Sequence, residues 1–385
     1  MHTQISNAPE EGSAGTSIDA RLRASAASTW QIVRTRVVTA ALVAWLPLFV
    51  LSALGGLVAG GVQVPLLHDF PVTVRFLIAL PLFVFGAAFT GARIDDLHNQ
   101  LLCSGIVRET EAGAFQSMVG RLRRMRNSWM VRGAIVLLVV FGTAFLRMEF
   151  SGEASSWQFV GSARSLPGWW YLLVSVPLFQ FWLAMCVWRY LVWCWFLFRL
   201  SRMDLSLMAT HPDRSAGLTV IGQVHQTFGI MAFALSSILS AQVGLEIVNA
   251  GRSIFDYRMM VGAFALLVLT VFLVPLLVFV PKLVRTRRRG LLEYGALAGE
   301  YTRAFHDKWI RNDPAPAEPL IGSADIQSLA DIGGSFDVVH QMRVVPFEIR
   351  IVAAILLSAL APLFPLIFAV LAPLDVVKGL IQILL

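Results

Sequence analysis

The chain has 385 residues, 57% of them hydrophobic and 14% charged. A water-soluble domain is charged at about a quarter of its positions, so much of this surface is built to face something other than water. The net charge of +7 would suit nucleic acid. The basic residues sit beside apolar blocks instead, as at the inside flanks of membrane helices, and nucleic acid is not an expected partner.

Residues 1–34 read as a disordered cytoplasmic tail, polar up to Ala20. The first apolar block begins near Val37, too late for a cleavable leader. Apolar blocks of about 20 residues, the length that crosses the hydrocarbon core, recur at 37–60, 73–90, 129–148, 169–198, 228–248, 259–280 and 351–371. The expected fold is all-α: a polytopic transmembrane helix bundle of about seven spans with a small helical cytoplasmic subdomain. Six spans fall within 35–281, with a helical loop at 93–128. A helical segment covers 282–349, and 350–385 holds the seventh span and an amphipathic C-terminal helix.

Lys and Arg orient the spans. Arg34 and Arg36 precede the first, Arg121 to Arg126 precede the third, and Arg285 to Arg289 follow the sixth. The intervening loops are poor in both. The expected setting is a bacterial inner membrane, with the N-terminus cytoplasmic and, for seven spans, the C-terminus periplasmic. Pro362 and Pro365 leave open a re-entrant last segment that returns inside. Pro-Leu-Phe recurs at Pro47, Pro81, Pro177 and Pro362. In so apolar a chain that is a cheap match and predicts no repeat. Each proline nevertheless frees a carbonyl and kinks its span.

Arg189 lies inside an apolar block. Counted from Arg199 it is mid-membrane, where a cation is costly and usually functional. Counted from Trp169, Trp170 and Tyr171 it reaches the inner interface, which is the favoured placement; a lipid phosphate or another helix would then be its partner. In Thr210-His211-Pro212-Asp213-Arg214-Ser215-Ala216-Gly217-Leu218, an imidazole, a carboxylate and a guanidinium share four positions. A His–Asp pair can shuttle protons. The favoured reading is a helix entry: Asp213 caps, and Arg214 meets lipid phosphates or an acid such as Asp204. The fifth span carries Ser236, Ser237, Ser240, Gln242 and Glu246, which read as interhelical hydrogen bonds before they read as a pathway.

In the cytoplasmic segment, Ser323 is placed as an N-cap. Asp325, Gln327 and Asp331 follow, and Gly333-Gly334 is expected to break the chain so that Ser335 caps a second helix. Asp95, Asp96 and His98 form at best a weak metal cluster. Cys103, Cys186 and Cys194 have neither disulfide nor metal spacing. No phosphate loop, dinucleotide fingerprint or hydrolase motif occurs. No catalytic residue, metal or cofactor is expected.

The stretches from Arg202-Met203-Asp204-Leu205 through His211 to Leu218, Arg289-Gly290-Leu291 through Glu293-Tyr294-Gly295, and Gly322-Ser323-Ala324-Asp325-Ile326-Gln327-Ser328-Leu329-Ala330-Asp331 together resemble a family of multi-pass bacterial inner-membrane proteins. The resemblance covers nearly the whole chain after the tail and carries over no catalytic or ligand role. It implies that function lies on the cytoplasmic face, around 211–214 and 322–331. The family's loop has Gly-Gly where this chain has Ala216-Gly217. The expected function is a non-enzymatic membrane protein acting through that face, with His211, Asp213, Arg214, Arg189, Ser323, Asp325, Gln327 and Asp331 as the candidate surface. Its expected partners are the bilayer, anionic headgroups and a cytoplasmic protein or a second copy. The alternative is a secondary transporter or channel using the kinked spans and the polar fifth helix, and after it a membrane enzyme built on His211 and Asp213.

Overall fold

The computed structural model describes residues 11–149, 156–161, 163–311, 319 and 322–366. Its backbone is almost wholly helical: α1 (Glu11–Leu54), α2 (Phe70–Cys103), α3 (Ala112–Asn127), α4 (Trp129–Glu149), α5 (Leu166–Leu200), α6 (Thr219–Gln226), α7 (Gly229–Ala250), α8 (Arg258–Leu273), α9 (Val280–His306), α10 (Ala324–His340) and α11 (Ile349–Leu360). A two-stranded ribbon, β1 (Phe159–Val160) and β2 (Ala163–Arg164), precedes α5. Helix α1 begins inside the stretch that composition reads as disordered.

Six helical runs are long and apolar enough to cross a membrane: 30–54, 70–103, 109–144, 166–200, 219–249 and 254–311. Of the expected seventh, 351–371, the described residues show a short apolar helix. It ends at Leu360 and passes into a 3-10 turn at Ala361–Leu363, where Pro362 has no N–H to continue the ladder. The rest of that span and the expected amphipathic C-terminal helix lie outside the described residues. Helices α2, α5 and α7 form the middle of the bundle. Helix α1 packs on α2, α4 on α5, and α11 on α7 and α8.

The prolines explain much of this packing. A carbonyl released by proline has no water to turn to in hydrocarbon and needs a donor from a neighbour. Pro47 releases the carbonyl of Val43, which accepts the indole N–H of Trp170 at 3.2 Å, and Ser175 donates to the adjacent Ala44 at 2.6 Å. Pro275 releases the carbonyl of Val271, which accepts the hydroxyl of Tyr190 at 2.5 Å. Ser236 donates to the carbonyl of Ala359 and Ser237 to that of Phe233. Ser236 thus ties α7 to α11, whereas the Ser237 hydroxyl and the Gln242 amide bond within their own helix.

Two of the Pro-Leu-Phe sites correspond more closely than composition implies. Helix α2 opens with Pro71, widens to π spacing at Arg75–Ala79 and then meets Pro81. Helix α5 opens with Pro167, widens at Tyr171–Ser175 and then meets Pro177. Arg75 and Tyr171 hold the same place in the two patterns, and the Arg75 guanidinium donates to the Tyr171 hydroxyl at 2.7 Å.

At the other end the sixth span continues as α9, as the recurrence of Tyr294, Leu297, Tyr301, Phe305 and Trp309 predicts. Helix α10 packs antiparallel on it. Tyr301 donates to the carbonyl of Asp325 near one end, and Arg287 to that of His340 near the other, at 2.9 Å. Gly333-Gly334 does not break α10, and Ser335 lies inside it. Each mid-helix glycine costs only about 1 kcal/mol, less than the helix recovers by packing Phe336 and Val339 on α9.

The hairpin meets the bundle most tightly at Gly290. A Cβ there would stand 2.4 Å from Ala209 Cβ and 3.0 Å from Val339 Cγ1. Gly290→Ala should therefore push α9 off the 201–218 loop and α10. The expected cost is about 1–3 kcal/mol, read as a lower melting temperature in detergent, while Gly299→Ala, which meets nothing within 4 Å, should be neutral or stabilising.

Candidate functional site

The His211–Arg214 stretch folds into a turn wrapped around its own carboxylate. Arg214 and Ala216 are left-handed, each with φ of 55°, and Gly217 has φ of 91°. This backbone turns successive N–H groups inward, the anion-binding concavity known as a nest. Asp213 fills it. Its Oδ1 accepts from Ser215 N at 2.8 Å and Gly217 N at 3.0 Å, and its Oδ2 from Thr219 N at 3.1 Å. Thr219 opens α6, so the carboxylate also faces a helix N-terminus. His211 Nδ1 lies 2.8 Å from Oδ1 and 3.3 Å from Asp213 N, so the ring sits against the carboxylate as a fourth neighbour. Ala216 and Gly217 both have positive φ, a conformation that favours glycine.

A second segment clasps this turn. Arg343 N donates to the carbonyl of Arg214 at 2.7 Å, and its guanidinium reaches the carbonyl of Asp213 at 2.7 Å and Glu348 Oε1 at 3.1 Å. Nothing in the spacing of Arg343, which sits between α10 and α11, marks it in the sequence. The clasp fastens the α9–α10 hairpin to the bundle. It is reinforced by Lys282, which donates to the carbonyl of Met203.

The turn's chemistry is therefore internal. A carboxylate has about four acceptor positions, and those of Asp213 are met by Ser215, Gly217, Thr219 and His211. It has no position left to take a substrate proton. The adjacent cleft, lined by Asp204, Thr210, Arg289 and Tyr294, stops short of His211 and Asp213. The expected pairing of Arg214 with Asp204 does not form, since Asp204 takes Arg108 at 2.7 Å. The Arg214 side chain is exposed, and among the described residues it has no ion-pair partner.

The second candidate cluster holds the hairpin together. Asp325 Oδ2 accepts from Lys308 Nζ at 2.8 Å and from Trp309 Nε1 at 3.0 Å. The Lys308 ammonium, with the indole, holds its carboxyl below the usual carboxylate range. Ser323 occupies the N-cap position but makes no capping bond, and its hydroxyl is buried without a partner. Gln327 and Asp331 bond each other at 2.9 Å on an exposed face.

Arg189 is separate from both. Its guanidinium donates to the carbonyl of Ala87, and its Nε has no partner. It lines a crevice of about 30 Å³ with Thr90, Gly91 and Arg126, room for a water. Arg126 pairs with Asp95 at 3.1 Å, so Arg189 lies toward the charged end of α2 rather than at its apolar middle. A wider polar cleft of about 530 Å³, lined by Arg93, Asp96, Gln100, Gln223 and Gln226, meets this crevice at Thr227 and Ile230. Sequence reading missed that cleft because its residues come from segments more than a hundred positions apart. Asp95, Asp96 and His98 hold no metal geometry, and among the described residues no group of three metal-ligating side chains converges. His98 is buried among Phe115 and Phe196 with both ring nitrogens unpartnered.

These features define a polytopic α-helical integral membrane protein with a helical hairpin braced against one end of its bundle. No protein-family model, curated protein or solved structure matches the chain.

Burial pulls the Asp213 carboxyl upward, but the N–H groups of Gly217, Ser215 and Thr219 and the His211 ring outweigh it and hold it below its ordinary value. Its folded value thus lies below the unfolded one, about 3.9. The stabilisation is complete above the unfolded value and is lost as pH falls through the folded one. Asp213→Ala should cost about 2 kcal/mol at pH 7. Melting curves of wild type and variant in detergent should converge as pH drops below about 4; a gap that persists unchanged at low pH would contradict the nest's dependence on charge.

Proposed function

We propose that the chain is a non-enzymatic membrane protein whose working surface is the α9–α10 hairpin on the cytoplasmic face. The carrying observation is the Arg343–Asp213 clasp: it presents the hairpin in one orientation, with Leu292, Leu297, Ile310 and Ile326 exposed beyond the apolar part of the sixth span. Exposed apolar side chains on a braced element are what a protein interface requires. Arg285, Arg288 and Arg289, all exposed on the same helix, suit an anionic leaflet or the acidic rim of that partner. The saturated carboxylate of Asp213 is a further reason to prefer interaction over catalysis.

A photo-crosslinking residue at Leu292 or Leu297 of the full chain in cells should give a discrete protein adduct, either a second copy or another protein. The same residue at Leu137, an exposed position in a membrane span, should give lipid only. Arg343→Ala should weaken the hairpin adduct several-fold without lowering the amount of protein in the membrane. Lipid-only labelling at all three positions would sink the reading.

A second reading rests on one observation, the cleft at Arg93 and Gln226, which shares Thr227 and Ile230 with the crevice at Arg189. It favours movement of a small anion through the bundle. Proteoliposomes should then take up an anion in a manner lost in Arg189→Gln, and uptake unaltered by that change would remove this reading.

A further inference from the structure

At the end of the bundle away from the Asp213 turn, a groove of about 900 Å³ opens sideways between α5 and α8, with α7 as its floor. Its walls are Leu172, Val176, Phe179 and Leu183 of α5, Leu235 and Leu239 of α7, and Phe264 of α8. From Leu172 to Leu183 the wall runs about 16 Å at the helical rise, roughly half of a 30 Å hydrocarbon core. It is therefore as long as one acyl chain in one leaflet.

The mouth of the groove has a different chemistry. Arg75 and Arg164 line it, with Gln158 and Gln242. Arg75 sits six residues into α2, within the spanning run. Its guanidinium donates to a neutral hydroxyl, that of Tyr171, and lies 5.7 Å from the centre of the Phe179 ring. Among the described residues it makes no ion pair. Asp69, the nearest acid in sequence, has its oxygens engaged by Trp157 Nε1 at 3.0 Å and Val72 N at 3.2 Å. Asp69 lies within electrostatic range of Arg75 but does not pair with it, and a guanidinium at membrane depth without an ion pair invites an anion from outside the chain. The π turns that hold Arg75 and Tyr171 in matching places point the same way, because such turns recur at functional sites.

We propose that this groove binds an anionic phospholipid drawn from the surrounding bilayer. Its phosphate would sit against Arg75 and Tyr171, and one acyl chain would run along α5 toward Leu183 and Leu235. The pairing follows from charge complementarity at the mouth and from the length and apolarity of the wall. A zwitterionic lipid would fill the same wall but keep its own counter-charge, so the site should prefer a net anionic headgroup.

The test is native mass spectrometry of the full chain, purified in detergent and offered equal amounts of phosphatidylglycerol and phosphatidylcholine with identical acyl chains. The wild type should retain the anionic lipid about fivefold over the zwitterionic one, the preference one guanidinium near a headgroup supplies. Arg75→Gln should bring that ratio close to one. Gln242→Glu, at an exposed rim position where folding is not at stake, should do the same by adding a like charge. Leu239→Trp should lower retention of both lipids by filling the wall. Melting temperatures report whether each variant is folded. A wild-type ratio near one overturns the proposal, as does a ratio that Gln242→Glu leaves unchanged.

Discussion

Hydrocarbon supplies no hydrogen-bond partners, and that constraint organises this bundle. At Pro47 and Pro275 the proline releases a carbonyl, and the packing of the neighbouring span is set by the donor that meets it. Trp170 and Ser175 bind α5 to the kink in α1, and Tyr190 binds α5 to the kink before α9. The bond from Ser236 to Ala359 ties α11 to α7 in the same way. These contacts are directional, unlike apolar packing, which in lipid provides little drive because the solvent is as apolar as the side chains. Helix α5 is central because it carries the donors.

The same economy of polar groups governs the end of the bundle that carries the Asp213 turn, outside the spanning runs, where a single chain has to be held in one shape. The Asp213 carboxylate is the organising charge of its turn. It neutralises a helix N-terminus, fixes left-handed backbone at Arg214 and Ala216, and presents the carbonyls of Asp213 and Arg214 outward to Arg343. Residues that look like a reactive cluster in a string of letters are therefore spent on shape. What the shape provides is a rigid mounting for the α9–α10 hairpin.

The helical bundle was legible because block length and hydropathy report directly on membrane crossing. The continuation of α9 was legible from the recurrence of its aromatic residues, and Asp213 as a helix cap from its place before α6. The rest depended on contacts between distant segments. Arg343 has no local signature, and the polar cleft draws on α2, α6 and α11. Gly333-Gly334 misled because local propensity is outweighed by packing on α9.

The two guanidiniums inside the spanning region show why burial alone does not assign a role. Arg189 and Arg75 both lack a carboxylate among the described residues, and both are costly to hold at membrane depth. Arg189 is partly relieved from within: it binds a carbonyl, lies toward the charged end of the bundle, and borders a crevice with room for little more than a water. Arg75 has a hydroxyl and an aromatic face, neither of which carries a full negative charge. It also opens onto a volume far larger than a water and lined on its long side by hydrocarbon. An internal solution suffices for the first cation. For the second, the fold has built space for a molecule that is anionic at one end and apolar along its length, and the bilayer that surrounds the protein is made of such molecules.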